Sequence, residues 1–169
     1  VEGPHVEKWP PKGHATLYGD LRPENLGPKN IENQLIKFAK LAFRRPPMDG
    51  ELEPILDMVQ AKLGEGLPPL PSLQLGFQTI LSAPGFLYLK EGEGELDNYA
   101  LASRLSYFLW SSMPDQQLLS LAAAGKLHQP KVLRAEVDRM LADSKATAFV
   151  QHFTERWLRL DKISESPPE

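Results

Sequence analysis

A chain of 169 residues with 41% hydrophobic and 24% charged side chains has ordinary globular composition. Its length suits one core with an added arm, which excludes two full enzyme domains and a wholly disordered polymer. The balance of 19 basic against 22 acidic residues leaves a net charge of −3, with no cationic surplus for nucleic acid or an anionic membrane, and no cysteine is present for disulfides, thiolate chemistry or metal thiolate sites.

The first 29 residues are dense in proline and glycine (Pro10, Pro11, Gly13, Gly19, Pro23, Gly27, Pro28) and show no sustained periodicity, so an extended arm is expected, anchored by Trp9, Leu17 and Tyr18. The opening Val1, Glu2, Gly3 has neither an initiating Met nor a signal-peptide core, which suggests a segment of a longer protein. From Asn30, a candidate cap, the residues Ile31, Leu35, Phe38, Ala39 and Ala42 recur at helical spacing until Arg45, Pro46 and Pro47 end the run. Asp49 is the candidate cap of a second helix with its stripe at Leu52, Ile55, Leu56, Val59 and Leu63 and its stop at Gly64. Ser72 precedes a third, through Leu73, Phe77, Ile80 and Leu81, broken by Pro84 and Gly85; the apolar piece 86–89 fits a strand or a helical turn.

Asp97 to Trp110 is apolar on two faces, Leu101, Ala102, Leu105, Phe108 and Leu109 on one and Tyr107 and Trp110 on the other, which predicts a central helix. Pro114 opens a helix that stops at Gly125, Pro130 opens another through Met140 and Leu141, and the last runs from Asp143 or Ser144 through Ala146, Phe149, Val150, Phe153, Trp157 and Leu160. The pattern predicts an all-α fold, a compact bundle of about seven helices over 30–163, with the Pro-rich arm at 1–29 and a linker at 164–169.

Chemical motifs are sparse. Neither a phosphate-binding glycine loop nor a G-x-S-x-G nucleophile elbow occurs. The acids Glu91, Glu93, Glu95 and Asp97 imitate the start of a calcium loop, but Leu96 stands where the loop needs Gly and Ala102 where it needs Glu. The four histidines, at 5, 14, 128 and 152, include one His-x-x-Glu pair, His152 and Glu155, without the second pair a helical metal site requires. No metal and no cofactor is therefore assigned to this segment. Arg104, beside the central apolar stripe, either reaches solvent or pairs with a carboxylate such as Asp97 or Asp115, and Asp115 has the alternative of its own helix N-terminus. Arg104, Asp115 and Trp9 are the candidate binding residues, with the ion-pair reading set first for the two charges. Trp110 and Trp157 fall on apolar helix faces and are expected in the core.

The string Leu101 Ala102 Ser103 Arg104 Leu105 Ser106 Tyr107 Phe108 Leu109 Trp110 Ser111 Ser112 Met113 Pro114 Asp115 resembles the planctomycete cytochrome-associated domains of unknown function. The likeness extends to Trp9 Pro10 Pro11, to 42–46, to 81–88, to 123–127, to 139–143 and to 153–158. The resemblance implies a module of a large exported protein in the periplasm, envelope or exterior, often with a c-type haem domain elsewhere in the chain, and no established reaction. A non-catalytic scaffold or docking module for neighbouring domains of the same parent protein is the first expectation. A carbohydrate-acting or hydrolytic domain is the alternative and requires Arg104, Asp115, His152 and Glu155 to converge; an electron-transfer partner of a c-type haem domain is the other.

Overall fold

Proline fixes where several of the helices begin, because a first-turn residue has no intrahelical partner for its N–H and loses nothing by lacking one. The structure, a computed structural model, describes residues 13, 17–19, 26–89, 91 and 93–158. Helix α1 (Pro28–Ala42), α3 (Pro69–Ser82), the single turn α4 (Pro84–Leu87) and α7 (Pro130–Ala142) each start on a proline, and α2 (Glu53–Gly64) carries Pro54 in its first turn. Between them in order lie α5 (Asn98–Trp110) and α6 (Gln116–Ala123), and after α7 come a 3-10 turn (Ser144–Ala146) and α8 (Thr147–Leu158). The described residues are all-α, as the periodicity predicts; of the piece 86–89, Phe86 and Leu87 end a helical turn, and Tyr88 after it is extended. The expected anchors at Leu17 and Tyr18 are half-buried, with Tyr18 edge-on to Phe77 at 5.9 Å and the Leu17 carbonyl accepting from Gln34. Of the arm, residues 1–12, 14–16 and 20–25, Trp9 among them, lie outside the described residues, as do Leu160 and the 164–169 linker, while Pro28 and Lys29 already belong to α1.

The helix starts differ in detail from the sequence reading. Gly27 and Leu52, rather than Asn30 and Asp49, precede α1 and α2, and Ser72 lies inside α3, where its hydroxyl donates to the Pro68 carbonyl at 3.0 Å. Asp115 and Asp143 cap as expected and Asp97 does so as well, each carboxylate accepting a backbone N–H of the turn it opens, and with Asp115 as cap Pro114 lies just before α6 instead of opening it.

The chain divides into two compact units, 1–89 and 90–169, where the sequence reading joined 30–163 in one helical domain. In the first unit α3 packs against α1, α2 and α4. Leu35, Ile31, Leu73 and Ile80 are almost wholly excluded from solvent, each contributing about 1.5–3 kcal/mol. Gly76 lets α3 approach α1 closely, since a Cβ there would lie 2.5 Å from Cδ2 of Leu35. Arg44, just past α1, has a φ of 59° and is buried; its guanidinium donates to the carbonyls of Gly85 and Phe86 at 3.3 and 3.2 Å and so holds the α4 turn.

In the second unit α5 packs against α6, α7, the 3-10 turn and α8, the central position its two apolar faces predict. Ala102, Leu109, Trp110, Leu118, Leu127 and Met140 form its core. Asn98 ties the loop after α6 to the start of α5 by accepting from the Leu127 N–H at 2.9 Å, and Ser111, with a φ of 49°, ends α5 in the left-handed conformation typical of helix stops.

Candidate docking surface

The two charged candidates of the second unit, Arg104 and Asp115, stand in separate clusters. Arg104 extends outward and grips Glu91 with Nε at 2.6 Å and a second bond from Nη2. Its partner is neither Asp97 nor Asp115, the two carboxylates the sequence suggested. The bond from Arg104 and its charge hold the Glu91 carboxyl below its ordinary range against a smaller upward push from burial, and Glu91 raises the Arg104 guanidinium in turn.

Asp115 takes the structural role. Its Oδ1 accepts from the Leu118 N–H at 2.9 Å, capping α6, while Arg139 reaches over from α7 to Oδ2 at 2.8 Å. Arg139 also donates to Glu136 Oε2 at 2.7 Å, and Gln117 donates to Glu136 Oε1 at 2.7 Å, which satisfies a nearly buried carboxylate from both sides. Burial pushes the Asp115 carboxyl up, but the Leu118 N–H, the Arg139 guanidinium and the Lys145 ammonium together hold it below its ordinary value. Burial likewise lowers Arg139, and the bonds and charges of Glu136 and Asp115 raise it further than burial depresses it. Beneath the cluster lies Trp110, 3% exposed, with Arg139 and Lys145 over its ring at 5.4 and 4.4 Å and its indole N–H donating to the Met140 carbonyl at 2.9 Å.

Arg104, Asp115 and His152 thus have three different sets of neighbours. His152 lies in another place altogether, a groove of about 480 Å³ between the end of α5 and α8. Tyr107, Phe108 and Ser111 come from the α5 side; Phe149, His152, Phe153, Arg156 and Trp157 come from α8. The rings of Phe108, Phe149, Phe153 and Trp157 form a continuous ladder with centroids 5.0, 5.6 and 5.9 Å apart, and the last two steps are stacked with planes 27° apart. Residues one turn apart on a helix lie on one face, which is how Phe149, Phe153 and Trp157 come into line.

The groove is an exposed surface. Of its rings Trp157 is 73% exposed, Phe108 63% and Phe153 54%, and Val150, beside it on α8, is 60% exposed. Trp157 was expected in the core with Trp110, and only Trp110 is there. The helical period correctly assigns Phe149, Phe153 and Trp157 to one face of α8; it carries no information on whether another element of the fold covers that face.

Among the described residues no group of three His, Asp or Glu could hold a metal ion, and no helix is long and apolar enough to cross a membrane. Both units are similar to domains whose role is unassigned. Residues 31–91 match the model described as PSD5, a protein of unknown function (DUF1595), and residues 96–169 match that described as PSD4, a protein of unknown function (DUF1592). No curated protein matches the chain. No solved structure matches it either.

Proposed function

We propose that this chain is a non-catalytic helical docking module of a larger exported protein of the planctomycete cytochrome-associated kind, engaging neighbouring domains through the α5–α8 face. The observation that carries this reading is the exposed aromatic ladder from Phe108 to Trp157. Folded chains seldom leave contiguous apolar patches of this kind bare, and aromatic rings with an Arg beside them are the composition of binding surfaces. The candidate charges support the same reading, because Arg104 and Asp115 are engaged with Glu91 and Arg139 and stand in different clusters. Export, with residence in the periplasm, envelope or exterior, and a c-type haem held by another domain, come from the resemblance alone.

The carbohydrate-acting alternative gains one observation, the row of rings. Yet Phe153 is stacked between Phe149 and Trp157, so its faces are turned to its neighbours rather than offered to a sugar. The electron-transfer alternative rests on the resemblance. The test is to replace Phe153 and Trp157 together by Asp and measure association with the adjoining domains of the parent protein. Both side chains are mainly exposed, so stability is expected to stay within about 0.5 kcal/mol while association falls at least tenfold, as for loss of a central aromatic pair. Undiminished association would overturn the docking role.

A further inference from the structure

Resting on the docking reading, we infer that the occupant of the α5–α8 groove is an amphipathic α-helix with an acidic flank, supplied by a domain outside these 169 residues. The first ground is spacing. Among the described residues of α8 the strongly exposed apolar ones are Phe153 and Trp157, which line the groove, and Val150 beside it, and they stand at i, i+3 and i+7. That is the spacing of a seam one helix wide, along which a second helix lays residues that repeat every turn.

The second ground is charge. His152 and Arg156, also one turn apart, line the groove beside the rings, and no carboxylate is among the described residues that line it. A helix carrying Glu or Asp beside its apolar stripe complements that edge, and one carrying Lys or Arg is repelled by it. A second copy of this chain, presenting the same groove with the same basic edge, lacks the complement.

The experiment uses the whole 169-residue chain and two synthetic helical peptides of about three heptads, both with Leu at the seam positions, one flanked by Glu and the other by Lys. Fluorescence anisotropy of the labelled peptides is expected to show the Glu-flanked one binding at least ~10-fold more tightly. Arg156→Glu should reverse that preference. Phe153→Asp should abolish binding of both, with Trp157→Ala as a milder second variant and circular dichroism confirming that each folds. Equal affinities, or binding of neither peptide, would overturn the inference. So would dimerisation lost in Phe153→Asp, or preferential binding to phosphatidylglycerol vesicles. Those results reject the acidic helix and leave the docking role standing; the domain-association test above is the one that rejects docking itself.

Discussion

Asp115 shows how one carboxylate serves two structures at once. It caps α6 through the Leu118 N–H and closes an ion-pair chain to α7 through Arg139, whose other partner is the nearly buried Glu136. Its carboxyl is held below its ordinary value in the folded chain. Between the unfolded value near ~4 and the lower folded one, the unfolded chain binds the extra proton, so the stability due to ionised Asp115 is complete above the unfolded value and disappears as pH falls through the folded one. Asp115→Asn retains an oxygen for the cap but cannot titrate. In urea unfolding from about pH 6 to about pH 2.5, the variant should be less stable by roughly 1 kcal/mol at the upper end and converge on the parent at the lower. Parallel curves would mean that Arg139 contributes nothing through this carboxylate. The capping role was legible in the sequence, because Asp before a helical run is a local signal. The partners were not: Glu91 lies 13 positions from Arg104 and Arg139 lies 24 from Asp115, and no periodicity records contacts across loops.

At the scale of elements, close approach of α3 to α1 fixes the first unit. Glycine in a helix interior ordinarily costs about 1 kcal/mol relative to alanine, so Gly76→Ala would stabilise an exposed helix. Here the added Cβ would lie 2.5 and 2.9 Å from the two terminal carbons of Leu35 and 3.2 Å from Val59 Cγ2, and both neighbours are buried. Overpacking of a filled core costs about 1–3 kcal/mol, which exceeds the gain in propensity. Chemical denaturation should therefore show a net loss of about 1 kcal/mol, and a more stable variant would show that Leu35 has room to move. The helices themselves were readable from apolar spacing and from prolines, though α3 begins at Pro69 rather than after Ser72, since prolines in a first turn read as a loop. The groove was not readable. The stripe places Phe149, Phe153 and Trp157 on one face of α8 and predicts Trp157 in the core, yet spacing identifies only a face, and neighbouring elements decide whether it is buried.

For the whole chain, two observations of different kind agree on its division. The apolar residues separate into two clusters, the first ending at Phe86 and the second beginning at Tyr99, with the contact boundary between Leu89 and Lys90, and the two domain models match 31–91 and 96–169, the first running two residues past that boundary. Composition had suggested one core, which is what a length near ~150 residues favours before contacts are known. The sequence signals at the junction were a broken helix at Pro84 and Gly85 followed by the acidic run from Glu91 to Asp97, local cues of a loop that do not say where one core ends. The second unit then carries the feature on which the functional proposal turns, an aromatic face of α8 that is exposed among the described residues. Hydrogen exchange across residues 147–158, measured on this chain alone and then with the adjoining domains of its parent protein, tests that most directly. The expected result is fast exchange alone and marked protection of α8 in the presence of those domains; unchanged exchange across α8, with or without them, would contradict it.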